Sequence, residues 1–220
     1  MDKSKWPAKA VLPIAVPGVK FVVSAILVTG VFFYFGWVIP GLIALVATVF
    51  TTWFFRDPER KIPSGEDVLV SPADGKVIIV EKLAPCEYMD GPCQKISIFM
   101  NVFNVHVNRI PLDGLVEKVK YNPGKFINAS FDKASVHNER NALKIKTDSG
   151  KTFVVVQIAG LVARRIVNCV NAGDRVQKGE RYGMIQFGSR LDLYLPLSFD
   201  PAVSVGDKTR AGSTIIGVMH

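Results

Sequence analysis

The segment GDRVQKG at residues 173–179 recurs in altered form as GDKTRAG at residues 206–212. In each copy a Gly-Asp pair opens the segment and a second glycine closes it, and both residue types favour tight turns. An apolar run of strand length follows each copy, at residues 183–187 and 214–218. The repeat therefore predicts a turn, a short strand and a second turn, used twice in the C-terminal part of the chain.

The sequence around this repeat also consists of short runs. Apolar and polar residues alternate over strand-length stretches at residues 76–80, 95–100, 143–146 and 152–158. No long helical period occurs between residues 62 and 220. We therefore predict a β-rich domain, all-β or α+β, of the barrel-sandwich-hybrid type, in which such G-D-x-x-x-x-G units recur.

Biotinyl and lipoyl carriers have this architecture, but a shared fold does not imply a shared function. A carrier would need a lysine displayed at a hairpin tip in its attachment motif, and we find no such lysine.

The N-terminal part has a different composition. No charged side chain occurs from Phe21 to Phe55, and the middle of this stretch carries the helix breakers Gly36, Pro40 and Gly41. Since roughly 20 apolar residues span a bilayer, the stretch is too long for one helix and short for two. We predict a helical hairpin, residues 20–35 and 40–55, that dips into the membrane.

The flanks of this stretch carry lysines and arginines on both sides, which favours both ends on the cytoplasmic face. A secretory signal peptide is one alternative, but the length and the missing small-residue cleavage site argue against it. A buried core hairpin of a soluble protein is the other. We therefore divide the chain into a membrane-associated segment, residues 1–60, and a second domain, residues 61–220.

The net charge of +8 and the pI of about 9.4 favour an anionic partner. The apolar stretch indicates lipid, and without zinc-finger spacing or a basic-aromatic ribbon we predict no nucleic-acid partner. The three cysteines are Cys86, Cys93 and Cys169. This low, odd number predicts ordinary thiols and a reducing compartment, and no metal site.

Gly188-Ser189 is the first candidate for chemistry. The small glycine lets the backbone bend, so that the serine oxygen can approach the carbonyl before it. This geometry permits an N-to-O acyl shift, β-elimination to dehydroalanine, and hydrolysis to a pyruvoyl group on the new N-terminus. The pair equally fits an ordinary turn.

Asp74 and His106 are the next candidates. Asp74 lies in SPADG at residues 71–75. Asp-Gly before a strand is ordinarily a turn; the alternative is that the Asp74 carboxylate orients or accepts a proton. A period of two from residue 103 to 108 would put Asn104, His106 and Asn108 on one strand face, as a solvated face or a polar pocket wall.

A fourth segment, residues 131–141, is polar and dense in charge. A surface loop is the default interpretation, and the alternative is that Arg140 or Lys133 holds a phosphate head group.

Together these segments resemble the phosphatidylserine decarboxylase family, and its short-chain branch most closely. The order and spacing of the motifs carry the resemblance over roughly residues 56–220: RDPER at 56–60, SPADG at 71–75, FNVHVNRIP at 103–111, NERN at 138–141 and FGSR at 187–190.

The resemblance implies a proenzyme that cleaves itself between Gly188 and Ser189 into a β chain, 1–188, and an α chain, 189–220. Ser189 would become the covalent pyruvoyl cofactor, which forms a Schiff base with phosphatidylserine and accepts electrons as CO2 leaves. The product would be phosphatidylethanolamine. The lipid core, a diacyl ester or an archaeal ether as in archaetidylserine, stays open.

The resemblance also assigns Asp74 and His106 to catalysis. The second histidine of the family's H-x-x-H-x-P pattern is Arg109 here, so the base for self-cleavage stays open between His106, Asp74 and His137. The expected partners are the phospholipid, the cytoplasmic face of the cell membrane, and the two chains for each other.

Two other classes of function remain as alternatives. A non-enzymatic, membrane-anchored adaptor of barrel-sandwich type would need long coiled segments, which are absent. A hydrolase with Ser189 as nucleophile would need a G-x-S-x-G elbow, but Arg190 and Leu191 follow the serine.

Overall fold

The structure, a computed structural model, describes residues 6, 13–125, 127–129, 137–160, 165–186 and 189–220. The chain divides into two compact units: a helical one within residues 9–59, and a β-rich one that begins at Arg60 and includes Trp6. Each unit is described by itself below.

The helical unit is a hairpin of α1 (Val16–Tyr34) and α2 (Val38–Phe54). The predicted hairpin is confirmed, although both helices begin earlier than residues 20 and 40. Pro17 and Pro40 explain the difference, because a proline is tolerated in the first helical turn, where its missing N–H has no intrahelical partner. Gly36, with a φ of +70°, makes the turn between the helices.

Small and hydroxyl-bearing residues form the contact between the two helices. The hydroxyls of Thr29 and Thr48 lie 2.9 Å apart across the interface. Gly41 packs against the ring of Phe33, where a Cβ atom would not fit. The outward faces are exposed and apolar, and α1 alone is long and apolar enough to cross a membrane, since α2 is a shorter apolar helix.

The second unit is built from fourteen strands in its described residues. Their bounds are β1 Val68–Val70, β2 Gly75–Leu83, β3 Cys93–Met100, β4 Val107–Arg109, β5 Gly114–Asn122, β6 Arg140–Lys146, β7 Thr152–Ala159, β8 Arg165–Asn168, β9 Arg175–Val176, β10 Arg181–Gln186, β11 Ser189–Pro196, β12 Phe199–Pro201, β13 Lys208–Thr209 and β14 Ile215–Met219. The β-rich prediction is confirmed.

The strand order shows that this unit contains one pattern twice. The eight-stranded sheet runs β13-β2-β3-β11-β7-β6-β5-β9, and the two small sheets run β1-β14-β12 and β4-β10-β8. The strands correspond in pairs: β1 with β4, β2 with β5, β3 with β6, β11 with β7, β12 with β8, β13 with β9, and β14 with β10. When each strand is replaced by its counterpart, every pairing between strands is reproduced. The second set of strands is inserted whole between β3 and β11 of the first.

The sequence repeat marks equivalent positions of the two sets. Asp174 and Asp207 each accept a hydrogen bond from the backbone N–H three residues earlier. PADGKV at residues 72–77 and PLDGLV at residues 111–116 are a second repeat, and each precedes a bulge in its strand, β2 or β5. In each repeat the aspartate accepts a backbone N–H from the facing glycine segment, Ala211 to Asp74 and Lys178 to Asp113.

The main core lies on one face of the curled large sheet, where leucine, isoleucine and valine side chains of both sets pack together. A smaller cluster covers the other face and includes Tyr194, Cys86 and Cys93.

The structure corrects the cysteine prediction. Cys86 and Cys93 are joined by a disulfide, with their Cα atoms 6.0 Å apart. The turn at Gly91, whose φ is +119°, brings the chain back so that these two cysteines meet. The prediction of ordinary thiols is therefore wrong for this pair, and the argument for a reducing compartment loses its basis. Cys169 is a free, buried thiol, as expected.

Candidate functional site

Strand register brings four of the sequence motifs to one end of the large sheet. At this end Lys76 of β2 pairs with Phe99 of β3, and Met100 pairs with Ser189 of β11. On the far side of β11, Ser189 also pairs with Ala159 of β7. Arg140 begins β6 next to the end of β7. Because neighbouring strands are antiparallel, their alternating starts and ends meet here. We call this region the reactive end.

Ser189 is the first residue of β11 and is completely buried. Successive side chains of a strand point to opposite faces, so Ser189 lies on the same face as Leu191, which belongs to the main core. Its Oγ makes no hydrogen bond within the described residues. A hydroxyl that no described residue engages can turn toward a reacting carbonyl. Gly188, the other half of the predicted cleavage site, lies outside the described residues.

His106 is buried just before β4, and its backbone is tied to the strand that leads to Ser189. The Ile185 N–H donates to the His106 carbonyl at 3.4 Å, and Ile185 lies near the end of β10. His137, the other candidate histidine, has an exposed side chain, and its carbonyl accepts the Lys125 N–H.

The predicted strand face through residue 104 is wrong. Strand β4 begins only at Val107, and Asn104 instead closes a turn by accepting the Asn101 N–H. Asn108 is buried, as a pocket wall requires, and starts a chain of amide contacts. Its amide contacts the sulfur of Met100, while Gln157 donates to its oxygen and Asn141 donates to Gln157.

Asp74 lies in the loop before β2, and both of its carboxylate oxygens are engaged. Oδ1 accepts the Ala211 N–H at 2.7 Å, and Oδ2 accepts the Arg60 guanidinium at 2.8 Å. Both side chains of the ion pair are largely buried. The sequence pattern RDPER identified the segment but not this role of Arg60, since nothing in the spacing links residue 60 to residue 74.

Arg109, which replaces the second histidine of the family pattern, has a structural contact. It is buried and donates to the Gly179 carbonyl at 2.9 Å. Gly179 is the closing glycine of one repeat copy, and Gly212, which closes the other, would crowd the Arg109 side chain if it carried a Cβ. Arg109 therefore lies where both copies close.

Asn138, in the NERN segment, is also buried at the reactive end. Its amide donates to the carbonyls of Ile127 and Ala159, and its oxygen accepts the Ile127 N–H. Ala159 is the cross-strand partner of Ser189. Asn138 thus fastens the backbone at residue 127 beside the candidate nucleophile, a role that the sequence did not indicate.

Arg190 follows Ser189 and is completely buried against Asp192. Its Nε and Nη2 donate to the two carboxylate oxygens at 2.7 and 2.8 Å. A paired charge of this kind is costly to break because the remaining partner would stay buried alone. The pair therefore holds the start of β11 on the face opposite to the Ser189 side chain.

Of the two residues suggested as phosphate ligands, Arg140 already contacts other side chains. Arg140 donates to the Tyr88 hydroxyl at 3.1 Å and lies 3.6 Å from Glu87. Lys133 lies outside the described residues. Among the residues that the structure describes, no group of three or more His, Cys, Asp or Glu side chains could hold a metal ion.

Comparison with known proteins identifies the family of the chain. The family model for phosphatidylserine decarboxylase matches residues 47–217. A curated phosphatidylserine decarboxylase proenzyme of Syntrophus aciditrophicus is 49% identical over 207 residues, which are 93% of this chain and 96% of that protein. A proenzyme of the same name from Desulfotalea psychrophila is 50% identical over 206 residues, 94% and 96% of the two chains. Another from Magnetococcus marinus is 44% identical over 219 residues, 99% and 97%.

The chain belongs to the phosphatidylserine decarboxylase family. The prediction of an enzyme, a carboxy-lyase made as a proenzyme, is confirmed. The alternative of a non-enzymatic adaptor finds no support in these comparisons.

Proposed function

We propose that this protein cleaves itself between Gly188 and Ser189 and then decarboxylates phosphatidylserine to phosphatidylethanolamine. The observation that carries the proposal is the Ser189 hydroxyl, which is buried at the reactive end and has no hydrogen-bond partner in the described residues. The segments of Asp74 and His106 reach the same part of the fold.

Self-cleavage requires the Ser189 oxygen to lose its proton as it attacks the Gly188 carbonyl. The C–N bond then breaks and leaves an ester and a free amine. Loss of the proton on the serine Cα expels the β-chain carboxylate, and hydrolysis of the resulting dehydroalanine releases ammonia. The pyruvoyl group formed in place supplies a carbonyl that can condense with the substrate amine and accept electrons when CO2 leaves.

His106 is the proton acceptor that we propose for this step. It is buried, and its backbone carbonyl accepts the N–H of Ile185 in β10, a residue four positions before Ser189. His137 is exposed, and Asp74 already has a partner on each oxygen. We therefore assign Asp74 a positioning role, in which it holds the loop after β13 and neutralises Arg60.

Strand pairing supports a stable complex of the two products, the β chain 1–188 and the α chain 189–220. Strand β11 lies between β3 and β7, β13 pairs with β2, and β14 pairs with β1. None of these contacts requires a peptide bond at residue 188. The two chains would thus form a heterodimer with one core, in the catalytic domain of residues 61–220.

The N-terminal segment, residues 1–60, anchors this enzyme to the membrane in our proposal. The exposed apolar faces of α1 and α2 suit lipid, and the Ile14–Arg56 bridge brings the two flanks of the hairpin together. With positive residues on both flanks, the cytoplasmic face follows. A phospholipid substrate fits this location, whether its core is a diacyl ester or an ether lipid.

The test compares the intact mass of the denatured wild-type protein with that of Ser189→Ala. Two polypeptides that separate between Gly188 and Ser189, the smaller with a pyruvoyl N-terminus, are expected in the wild type, and one whole chain in the variant. Release of CO2 from carboxyl-labelled phosphatidylserine should follow the cleaved form only. A wild-type protein that stays whole would contradict the proposal.

A further inference from the structure

A cleft of about 910 Å³ opens at the reactive end. Phe99 and Asn101 line it, and Met100 between them is the cross-strand partner of Ser189. Its other walls come from the start of β2, the turn at residues 101–104 and the loop at residues 208–214. The cleft thus opens at the same end of the sheet as Ser189, on the face that Lys76 and Phe99 share, whereas Met100 and Ser189 are on the core face.

Three positive side chains line this cleft: Lys76, Lys208 and Arg210. All three are exposed, and none forms an ion pair with any residue for which the structure gives a position. Lys76 and Lys208 are directly opposite each other on β2 and β13. Like charges in such a cross-strand pair repel each other, so an anion bound between them would relieve an unfavourable contact.

The second set of strands shows that the fold does not need these charges. The positions equivalent to Lys76, Lys208 and Arg210 are Leu115, Arg175 and Gln177, because β5 and β9 correspond to β2 and β13. Leu115 and Gln177 carry no charge, and Arg175 is paired with Asp148 at 2.9 Å. Among the described residues, the equivalent positions of the second set therefore hold no such group of three exposed cations.

The cleft's acidic residue does not satisfy these cations. Asp74 lines the cleft, but its oxygens are taken by Arg60 and by the Ala211 N–H. Phe103, a residue that is 66% exposed, gives the cleft an apolar wall beside the cations. A negatively charged group attached to an apolar body fits both features.

We infer that Lys76, Lys208 and Arg210 bind the phosphate of the phosphatidylserine head group and so hold the substrate at the reactive end. This inference rests on the proposed function. The cations contact a part of the substrate that does not react, so they act on affinity and not on the chemical step. Their loss therefore raises KM and leaves kcat nearly unchanged.

The experiment measures decarboxylation of a short-chain, monomeric phosphatidylserine by Lys76→Gln/Lys208→Gln. We expect KM to rise tenfold or more, with kcat within twofold of the wild type. Lys118→Gln/Lys120→Gln is the matched control, because it removes two exposed lysines of β5 that lie outside this cleft. Its KM should change less than twofold, and intact mass should show normal self-cleavage in both variants.

Competition identifies the group that is bound. Glycerophosphoserine should inhibit the wild type competitively and the Lys76/Lys208 variant at least tenfold less, whereas inorganic phosphate at matched ionic strength should compete much more weakly. Equal competition by inorganic phosphate would overturn the inference. So would an unchanged KM for the monomeric substrate combined with weaker binding to phosphatidylglycerol vesicles, which would make the cleft a membrane-docking surface.

Binding to the uncleaved Ser189→Ala protein separates this inference from the proposed function. Calorimetric titration with the short-chain lipid should show binding that the added Lys76→Gln/Lys208→Gln changes weaken tenfold or more. Lipid binding that depends on Lys76 and Lys208, without any CO2 release from the wild type, would support the assignment of the cleft and contradict the proposed decarboxylase activity. Equal binding with and without the two lysines would remove the cleft assignment alone.

Discussion

Asp74 shows at the scale of one residue how a duplicated fold separates structural from chemical roles. Its equivalent, Asp113, accepts a backbone N–H in the same way, at 2.8 Å against 2.7 Å, but lies away from Ser189 and is exposed. An aspartate before a glycine is therefore part of how each strand set is held together. What Asp74 has in addition is its ion pair with Arg60.

Substitution of these two aspartates distinguishes positioning from proton transfer. In Asp74→Asn the side-chain oxygen can still accept the Ala211 N–H, so we expect self-cleavage to slow about tenfold, whereas Asp74→Ala should slow it much further. Rates are measured by the appearance of the two chains on denaturing gels. Equal loss in both variants would instead make Asp74 the base.

Asp113→Asn is the control for this comparison. It should lower the free energy of unfolding by about 1–2 kcal/mol, the cost of weakening a hydrogen bond to a charged acceptor, and leave the cleavage rate unchanged. Slowed cleavage in this variant would mean that the rate reports stability alone.

Cys169 gives a prediction on pH. Burial raises the pKa of this thiol from 9.0 to about 11. The unfolded chain therefore loses the proton first as pH rises, and the folded state loses stability from pH 9 upward until the folded thiol also ionises near pH 11. Wild-type protein should lose about 2–3 kcal/mol more than Cys169→Ala between pH 8.5 and 11, measured by urea unfolding. Parallel pH curves for the two proteins would contradict the shift.

The helical hairpin and the short strands could be predicted from the sequence because their signals are local. Uncharged length, breakers and alternation are visible within a few residues. The predicted helices begin too late because the prediction places them at residue 20, immediately before the uncharged stretch, and at the breaker Pro40, whereas α1 begins at Val16 and α2 at Val38. The disulfide and the Arg60–Asp74 pair were missed for another reason, since both depend on how the chain returns in space.

The hairpin carries a prediction about topology. Residues 14 and 56 form a bridge, so both flanks should lie on one side of the membrane. Single cysteines at Lys20→Cys and Arg56→Cys should both react with an impermeant maleimide in inside-out vesicles and not in right-side-out vesicles. The native cysteines should contribute little, because Cys169 is buried and the other two are bonded. Labelling of the two positions from opposite sides of the membrane would contradict the prediction that the two helices enter and leave the membrane on the same side.

At the scale of the whole molecule, the duplication was visible in sequence only in part. The repeat at residues 173–179 and 206–212 was recognised because its copies share their pattern of glycine and aspartate. The matching repeat at residues 72–77 and 111–116 was not, because it belongs to strands that precede the glycine segments by a long stretch of chain. Only pairing in space shows that one strand set is inserted into the other.

The insertion places the proposed cleavage site where the second set has a hairpin turn. Lys151 is the position equivalent to Ser189, and it follows Gly150 in the turn that joins β6 to β7. In the first set the corresponding strands, β3 and β11, are adjacent but far apart along the chain. A break between residues 188 and 189 therefore opens a connection at the end of a ladder and removes no pairing from the sheet.

This leads to a prediction about the mature protein. The cleaved chains should elute together in size-exclusion chromatography and separate only in denaturant, since β11, β13 and β14 pair with strands of the other chain. The melting temperatures of the cleaved protein and of whole Ser189→Ala should differ by less than about 4 °C, the shift that about 1 kcal/mol causes in a domain of this size. Separation of the chains without denaturant would contradict this prediction. It would show that the peptide bond between residues 188 and 189, and not the strand pairing, holds the two chains together.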